Sequence, residues 1–469
     1  MSEIQFDKEL QHHETSIPGL VLFDIPVHGD NRGWFKENWQ REKMLAAGLP
    51  DFSPIQNNIS YNEKRGVARG VHAEPWDKYV SIAKGSVFGF WVDIRQDSET
   101  YGEVFTAELD PTKAIYVPSG VANGFQTLED DTVYTYLVND HWSPNANYAF
   151  VNMADDSLGI NWPIPLSESE ISQKDKDHPL LADVTPLASK KVLVTGANGQ
   201  LGRALQIEMP NAEFVTREEF DITDSEIINA RRWRDYSTII NAAAYTAVDT
   251  AETTEGRKEA WLANTTAVAN LGRIATEFNI TLVNISSDYV FDGKNNLHDE
   301  DEPLSPLGVY GQTKAAGDAI VDTVPKHYTI RTAWVVGDGT NFVRTMKSLA
   351  SRDIKPSVVD DQIGRLTFTD DLAKGIKHLL HSHAEYGTYN LSNDGKSVSW
   401  SDIAKQVYLH EGKPVHDVTP ISTQAYYEGK EGIAPRPLQS TLDLTKIKAT
   451  GFMPRDWEEA LKSFLSDHS

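Results

Sequence analysis

The stretch Lys190-Lys-Val-Leu-Val-Thr-Gly-Ala-Asn-Gly-Gln-Leu-Gly202 decides the fold of the second part of the chain. Its apolar residues predict a strand, and the glycines at 196, 199 and 202 lead into an amphipathic segment. Gly196 permits a tight turn, Gly199 lets backbone N–H groups approach a pyrophosphate, and Gly202 allows close helix–strand packing. The stretch predicts a dinucleotide-binding turn, although a glycine triplet alone also fits an ordinary βα turn.

The pattern of apolar residues changes near residue 188. After it, compact apolar runs alternate with helical segments, which is typical of a doubly wound, Rossmann-type parallel sheet. Before it, short stretches of alternating apolar and polar residues are separated by Gly/Pro turns, which predicts an all-β sandwich or barrel. Two prolines in His178–Ser189 indicate a connector. We therefore predict a multidomain chain with an all-β domain over 1–185 and an α/β domain over 189–469.

Composition excludes several classes of function. The 469 residues include no cysteine, which excludes disulfide scaffolds, thiolate zinc sites and cysteine nucleophiles. The net charge of −24 disfavours binding to nucleic acid or to an anionic membrane surface. No run approaches the ~18 apolar residues that cross a bilayer, and Met1–Asp7 is neither basic nor apolar. We expect a cytoplasmic protein that contacts no nucleic acid and no membrane.

Residues after the second strand of the α/β domain indicate which nicotinamide cofactor binds. Asp221 and Ile222 follow the glycine-rich turn at the distance where a residue would meet the adenosine. The strand Phe214–Val215 carries no acidic residue at its tip, and Thr216 and Arg217 could receive a 2′-phosphate. This favours NADPH over NADH, but Arg217 fits equally well as a solvated surface residue.

A tyrosine and a lysine lie four residues apart at Tyr310-Gly-Gln-Thr-Lys314, so a helix would place them on one face. One such pair is expected by chance in a chain of this length. Its position is more informative, because it follows Ile285–Gly293, the end of an apolar strand, where open α/β sheets bind ligands. The Ser287 hydroxyl would join the phenol and the ammonium there. Lys314 would lower the pKa of Tyr310, which would then protonate a carbonyl oxygen as hydride arrives.

These residues resemble the extended short-chain dehydrogenase/reductase family, and within it the dTDP-4-dehydrorhamnose reductases. The matching stretches are Gly196–Gly202, Asn241–Asp249, Ser286–Gly293, Tyr310–Lys314, Arg331–Trp334, Asn341–Arg344, Asp361-Gln362 and Arg436-Pro437. The resemblance implies Ser287 (Thr in many members), Tyr310 and Lys314 as the catalytic group, with Tyr289 and Trp334 near the sugar. Taken with the residues after the second strand, it predicts cofactor contacts at Gly196, Asn198, Gly199, Gln200, Leu201, Gly202, Arg217, Asp221, Ile222, Ala242, Ala243, Ala244, Tyr310 and Lys314.

The all-β domain carries a cluster of cationic residues and a histidine in Arg65–Lys78. Arg69 and His72 are an odd number of residues apart, so a regular strand would point them to opposite faces, and a shared site needs a bend near Gly70. Apart from His12-His13, the domain lacks the paired histidines of metal-binding barrels, and we predict no metal. From the residues alone, a structural role for His72 fits the sequence as well as a catalytic role does.

This domain resembles the dTDP-4-dehydrorhamnose 3,5-epimerases, which implies a jelly-roll, cupin-like fold. The matches are Asp30–Glu37, Gln56–Ser60, Gly66–Lys78, Val92–Arg95, Ile115–Pro118, Leu158–Pro163 and Ser172–Asp175. The resemblance implies His72 as base, Asp175 as its orienting carboxylate, Lys78 as enolate stabiliser and Tyr136, with Tyr134 a close rival, as acid. It also implies diphosphate contacts from Arg32 and Arg69 and nucleotide contacts from Phe35, Glu37, Gln56 and Asn58.

The chain departs from that family at two points. Asn123 stands where many members have histidine, and the loop between His72 and Lys78 is short, which bears on whether both C3 and C5 are inverted.

Together the two resemblances imply a bifunctional enzyme. It would epimerise dTDP-4-dehydro-6-deoxy-D-glucose at C3 and C5, then reduce the C4 ketone with NADPH or NADH to dTDP-L-rhamnose. They also imply a homodimer through the epimerase domain. The alternatives are a UDP-sugar substrate, another 6-deoxyhexose product, or a non-catalytic regulatory protein that binds sugar nucleotides; the two intact sets of catalytic residues argue against the last.

Overall fold

The computed structural model describes residues 9–144, 146–382 and 384–467. The chain forms two compact units, Met1–Lys190 and Lys191–Ser469. Met1–Asp7, and with it the start of the first predicted domain, lies outside the described residues.

The segment predicted as a connector packs onto the first unit. Val184 and Leu187 are buried in one of its hydrophobic clusters, and the Leu187 backbone bridges to Arg95. A short 3-10 turn, Leu181–Asp183, interrupts the otherwise extended chain. Most of the segment is therefore part of the first unit, and the change of unit falls between Lys190 and Lys191.

The first unit consists mainly of β-strands. Its strands are β1 (Gln11–Glu14), β2 (Val21–Asp24), β3 (Val27–Asp30), β4 (Gly33–Lys36), β5 (Gln56–Asn62), β6 (Val67–Ala73), β7 (Lys78–Lys84), β8 (Val87–Asp93), β9 (Val104–Leu109), β10 (Lys113–Val117), β11 (Val121–Thr127), β12 (Thr132–Val138), β13 (Ala149–Phe150) and β14 (Glu170–Ile171). Two short helices accompany them, α1 (Arg41–Ala46) and α2 (Gln173–Lys176).

Two antiparallel sheets organise these strands. One has the order β1-β2-β10-β7-β12-β5, and the other has the order β13-β6-β11-β8-β9, with β14 added parallel to β6. The strands β3 and β4 form a separate hairpin. Strand β8 is buried along its whole length, whereas β5 alternates between exposed and covered residues. The position of each strand in its sheet therefore decides which side chains reach the interior.

Strand β6 contains the bend that the sequence requires. Gly70 has a φ of +115°, a backbone conformation open to glycine, and the pairing of β6 with β11 shifts register between Asn123 and Phe125. A Cβ on Gly70 would lie 2.7 Å from the Gly124 Cα. The bulge turns Arg69 and His72 toward the same cavity, so the predicted bend is present.

The second unit alternates strands and helices. Its strands are β15 (Lys191–Thr195), β16 (Glu213–Val215), β17 (Tyr236–Asn241), β18 (Thr281–Ser287), β19 (His327–Thr332), β20 (Val335–Val336), β21 (Ser357–Val359), β22 (Ile363–Gly364), β23 (Thr367–Phe368), β24 (Gly387–Asn390), β25 (Val398–Ser399) and β26 (Thr419–Ile421). Its helices are α3 (Gln200–Glu208), α4 (Ser225–Ala230), α5 (Thr254–Trp261), α6 (Ala267–Glu277), α7 (Val309–Val321), α8 (Phe342–Ser351), α9 (Thr369–His381), α10 (Trp400–His410), α11 (Thr423–Tyr427), α12 (Thr445–Ala449) and α13 (Trp457–Asp467).

A six-stranded sheet with the order β16-β15-β17-β18-β19-β24 forms the centre of the second unit, and every pairing in it is parallel. Two hydrophobic clusters pack helices against it, and a third joins α8, α10 and α13 in a separate core. The carboxyl ends of parallel strands meet at one edge, so Thr195, Asn241 and Ser287 lie along it. Among the described residues no helix is long and apolar enough to span a membrane.

Candidate active sites

The first unit contains a cavity between its two sheets. Its lining residues are Ser60, Arg69, Gly70, His72, Glu74, Lys78, Asn123, Phe125, Tyr134 and Tyr136. Beside it, His72 Nε2 lies 3.0 Å from Asp175 Oδ1. Asp175 is buried at the start of α2. Burial raises the pKa of its carboxyl, but the hydrogen bond and charge of His72, the Gly70 N–H and the charge of His178 together outweigh burial and lower that pKa. The carboxylate can therefore fix the tautomer and orientation of the imidazole.

Lys78 lines the same cavity and is held there by two neighbouring side chains. Its Nζ donates to Asn123 Oδ1 at 2.7 Å and lies 2.5 Å from Glu74 Oε2. The ammonium is 5.6 Å from the centre of the Tyr136 ring. A held cation of this kind can stabilise an oxyanion that forms in the cavity.

Both tyrosines that the sequence offered as acids reach the cavity, because positions 134 and 136 share one face of β12. Tyr134 is buried, and its ring stacks on Phe125 at 4.2 Å. Tyr136 is less buried and lies beside Lys78. Burial raises the pKa of both phenols. This geometry favours Tyr136 as the residue that meets a substrate.

The predicted nucleotide contacts divide into two groups. Arg69 lines the cavity, and Gln56 and Asn58 lie on the same face of β5 as the lining residue Ser60.

The other group lies on or next to the β3–β4 hairpin, outside the set of residues that line this cavity. The Arg32 side chain is 85% exposed and pairs with Asp30, and Phe35 is 68% exposed. Phe35 and Glu37 instead line a separate cavity beside α1. Within one chain, the structure does not bring these three residues to His72.

A second histidine lies next to the His72–Asp175 pair. The ring of His178 is 5.3 Å from that of His72, and its Nε2 lies 3.8 Å from Asp175 Oδ1. The ligand atoms of these three side chains lie within 4.8 Å of one another, a spacing that is also compatible with a metal ion. The absence of a metal therefore stays a prediction.

The glycine-rich turn of the second unit has the geometry that its sequence predicts. Gly196 has a φ of +73°, and a Cβ there would lie 2.7 Å from the Ala243 nitrogen. A Cβ on Gly202 would lie 2.2 Å from the Gly196 oxygen. Gly199 is the N-cap of α3, which begins at Gln200. The turn thus leaves backbone N–H groups at a helix N-terminus.

A cavity next to this turn contains several of the predicted cofactor contacts. It is lined by Thr195, Gly196, Arg217, Phe220, Asp221, Ile222, Thr223, Ala243, Ala244, Tyr245, Glu259, Leu262 and Ala263. Arg217 Nε donates to Asp221 Oδ2 at 3.3 Å, and the Arg217 side chain is 81% exposed. The guanidinium is therefore at the rim of the cavity, where it could meet a phosphate.

The remaining predicted cofactor residues surround the turn. Gln200 Oε1 accepts from the Gly337 N–H at 2.8 Å, and Leu201 packs into the core. Asn198 belongs to the turn itself, and the Ala242 backbone packs against Gly196. The Leu201 side chain and the Gln200 Oε1 have structural roles, which leaves the backbone of the turn and the Gln200 Nε2 to contact a cofactor.

Ser287, Tyr310 and Lys314 meet at the carboxyl edge of the parallel sheet. Tyr310 and Lys314 lie one turn apart on α7, and the Lys314 Nζ donates to the Ile285 carbonyl. The Ser287 hydroxyl donates to Asp288 Oδ1 at 2.9 Å and also interacts with the Tyr310 phenol. The three groups that the sequence placed together are therefore close in space.

Burial dominates the protonation of this group. It raises the pKa of Tyr310 to about 12, despite the lowering effect of the Ser287 hydrogen bond, and it lowers the pKa of Lys314 to about 8. The net shift of the Tyr310 pKa is upward, because desolvation of the phenol is the largest influence on it. The expected lowering of this pKa by Lys314 stays a prediction.

The two residues predicted near the sugar lie at the same edge. The ring of Tyr289 is 5.4 Å from that of Tyr310 in an edge-on arrangement. Trp334 follows the end of β19, has a φ of +49°, and stacks on Trp400 at 3.9 Å.

Sequence reasoning missed several polar residues in or beside these sites. Asp288 is fully buried between Ser287 and Tyr289, and burial raises its pKa to about 6. Arg436 forms two hydrogen bonds with Asp249, at 2.7 and 2.9 Å. Glu74 lines the first cavity. All of them lie within the matching stretches or directly beside a predicted catalytic residue, and this position in the sequence could have pointed to them.

The fold and the two sites define a two-unit enzyme that joins an all-β epimerase unit to a Rossmann-type reductase unit. The chain belongs to the family of the RmlD substrate binding domain, whose model matches residues 190–469. Residues 14–183 match the model of the dTDP-4-dehydrorhamnose 3,5-epimerase family.

Individual relatives resemble one unit each. The protein RmlC homolog of Streptococcus pyogenes is 54% identical over 198 residues, which are 40% of this chain and 99% of that protein. The dTDP-4-dehydrorhamnose reductase of Aggregatibacter actinomycetemcomitans is 38% identical over 299 residues, which are 58% of this chain and 97% of that protein. A crystal structure of dTDP-4-dehydrorhamnose reductase from Bacillus anthracis in complex with NADP is 34% identical, with a TM-score of 0.54, and covers 59% of this chain and 99% of that one.

Proposed function

We propose that this chain carries out two consecutive steps of dTDP-L-rhamnose synthesis. The first unit epimerises dTDP-4-dehydro-6-deoxy-D-glucose at C3 and C5, and the second reduces the C4 ketone with NADPH. The observation that carries the proposal is the presence of both sites on one chain. The ketone that acidifies C3 and C5 in the first reaction is the group that the second reaction reduces, so the product of one site is the substrate of the other.

The first site has the groups that a proton exchange next to a ketone requires. His72, oriented by Asp175, removes the proton from C5 or C3, and the electron pair moves to the C4 oxygen. The Lys78 ammonium stabilises the resulting enolate. Tyr136 returns a proton to the opposite face of the same carbon, which inverts it. We take the two antiparallel sheets around this site to be a jelly roll of the cupin type.

The second site has the groups that complete a carbonyl reduction. When bound, NADPH supplies hydride to C4. Tyr310 gives its proton to the ketone oxygen, Ser287 holds that oxygen, and Lys314 supplies positive charge beside them. Arg217 at the rim of the cofactor cavity supports NADPH over NADH, since its guanidinium suits a 2′-phosphate. We assign the core of α8, α10 and α13 to a small substrate-binding lobe.

The proposal is tested by following nicotinamide absorbance with dTDP-4-dehydro-6-deoxy-D-glucose as substrate. We expect NADPH oxidation, and we expect little with the matching UDP sugar. If NADPH oxidation is as fast with the UDP sugar, the enzyme is not specific for dTDP sugars. If neither sugar nucleotide leads to NADPH oxidation, the proposed function is contradicted.

The reductase rate should fall at alkaline pH. Lys314 has a pKa of about 8 because it is buried, so its ammonium is present below that pH and is lost above it. Tyr310, with a pKa of about 12, keeps its proton over the same range. The kcat for reduction of pre-epimerised ketone should therefore decline above about pH 8. In Lys314→Arg, whose guanidinium stays charged, any remaining activity should lack this decline. A rate that is flat to pH 10 in the natural protein would refute the assignment of Lys314.

We also propose that the first unit works as a homodimer. The hairpin residues predicted to hold the nucleotide lie outside the residues that line the cavity, and Phe35 and Arg32 are largely exposed. Exposed Ile59 and Tyr61 add an apolar face on β5, which is an edge strand. A second copy of the chain is a partner that can cover these residues and bring a hairpin to the cavity.

Mixing an impaired variant with an inactive one tests this arrangement. Arg32→Ala should lose about tenfold or more of the epimerase rate, because an arginine–phosphate contact is lost, and His72→Ala should be inactive. When the two chains are expressed together, one site of each mixed dimer has both residues intact, so about a quarter of the sites should recover. Mixing His72→Ala with Asp175→Asn, which alters the same side of the site, should recover nothing. Failure of the first mixture to recover would contradict the shared site.

A further inference from the structure

Glu74 is a carboxylate in the first cavity to which the mechanism above gives no role. It follows the end of β6, two residues after His72 and four before Lys78, and it lines the cavity together with both. Its side chain is 17% exposed, and that of Lys78 is 7% exposed. The Glu74 carbonyl accepts from the Gly120 N–H at 3.2 Å, which anchors the loop. The carboxylate is largely covered and lies inside the site.

The Lys78 ammonium has two close polar neighbours in the protein. It forms an ion pair with Glu74 Oε2 at 2.5 Å and donates a hydrogen bond to Asn123 Oδ1 at 2.7 Å. Asn123 is paired with His72 across β6 and β11, which fixes its backbone beside the cavity. The N–H groups that these neighbours do not engage are left to meet a ligand oxygen, and the two neighbours give the cation a defined position.

The Glu74 carboxylate also affects the pKa of the Tyr136 phenol. The charged and titratable groups that surround the Tyr136 phenol in the lining of the cavity are Arg69, His72, Glu74, Lys78 and Tyr134. After burial, the negative charge of Glu74 is the main influence that raises the pKa of Tyr136, and Arg69 opposes it. A nearby anion disfavours tyrosinate and so favours the form of the phenol that can donate a proton.

We propose that Glu74 is a positioning residue of the first site: its carboxylate aims the Lys78 ammonium at the C4 oxygen of the substrate and lies in the same cavity as the Tyr136 phenol, which acts as the acid. The proposal rests on the proposed epimerisation. In this proposal, different groups act on the two faces of the sugar. His72 and Asp175 supply the base on one face, and Tyr136, assisted by Glu74, supplies the acid on the other. Asn123 shares the hold on Lys78.

The test measures deuterium incorporation at C5 and C3 of the substrate in D₂O over a range of pH, in the full-length chain. Glu74→Gln keeps the size and removes the charge. We expect its rate near neutral pH to fall about tenfold and its alkaline limb, where Tyr136 loses its proton, to move down by about one pH unit. Glu74→Asp keeps the charge and should retain the alkaline limb of the natural protein. Glu108→Gln, on the exposed face of β9, is the control for loss of a charge elsewhere.

The possible outcomes separate the two proposals. If the natural protein incorporates no deuterium, the proposed epimerisation fails. If it does, and Glu74→Gln loses rate equally at every pH with an unmoved alkaline limb, or matches Glu108→Gln throughout, the role given to Glu74 is overturned. An alkaline limb that moves down in Glu74→Asp as well would overturn it too, because that variant keeps the carboxylate.

Discussion

Tyr310→Phe should abolish NADPH oxidation while leaving the first reaction intact. The substitution removes the hydroxyl that gives its proton to the ketone oxygen and keeps the ring that packs against Tyr289. A general acid of this kind contributes about 10²- to 10⁴-fold to a rate, so the kcat for reduction should fall by that factor. The measurement is nicotinamide absorbance with dTDP-4-dehydro-6-deoxy-D-glucose as substrate.

The control for this variant is the other unit of the same chain. Deuterium from D₂O should still enter C5 and C3 at the natural rate, because the epimerase residues lie in the first unit and Tyr310 lies in the second. A matched control, Tyr328→Phe, removes a buried hydroxyl that bonds to the Ala384 carbonyl in the same unit, and it should leave reduction largely unchanged. Near-natural NADPH oxidation by Tyr310→Phe would show that another group is the acid.

His72→Ala should have the second large effect. Without the imidazole, the first site has no base next to Asp175, and deuterium incorporation at C5 and C3 should fall by about 10²- to 10⁴-fold. NADPH oxidation from the unepimerised sugar should fall with it, because the reductase acts on the epimerised ketone. Both are measured on the same sample, by proton NMR and by absorbance.

The rescue experiment for His72→Ala uses ketone that a separate epimerase has already inverted. With this substrate the variant should oxidise NADPH at the natural rate, which shows that its second unit is folded and active. If His72→Ala consumes NADPH from the unepimerised sugar as fast as the natural protein does, the reductase does not depend on the first site, and the proposed order of reactions is wrong.

The sequence predicted the second unit in most of its detail, because its chemistry is local. Gly196 and Gly202 are required by contacts to nearby backbone, and Tyr310 and Lys314 are joined by one helical turn. What could not be predicted is the balance of electrostatic effects at Tyr310. That balance depends on how completely the phenol is desolvated, which is a property of the packed fold.

The first unit was harder to predict, because its site is built from residues far apart in the chain. Asp175 meets His72 across more than a hundred residues, and Lys78 is held by Asn123 from another sheet. The odd spacing of Arg69 and His72 did predict the bend at Gly70. Nothing local indicates that Arg32 and Phe35 lie apart from the cavity, since the hairpin that carries them pairs with neither of the two large sheets.

Because the chain as a whole is acidic, binding of the substrate depends strongly on the few cationic groups in the sites. With a net charge of −24, the protein as a whole repels a sugar nucleotide diphosphate. Capture must then depend on local positive groups, such as Arg69 in the first cavity and the N-terminus of α3 in the second unit. Lys78 is largely neutralised by Glu74, so we assign it to the enolate and not to recruitment of the diphosphate.

The most direct test of the central claim is the isotope pattern of the product that the full chain makes in D₂O from dTDP-4-dehydro-6-deoxy-D-glucose and unlabelled NADPH. The account predicts dTDP-L-rhamnose with deuterium at C3 and C5, from the first site, and protium at C4, from the cofactor. A reduced sugar that carries protium at both C3 and C5 would show reduction without epimerisation and would contradict it.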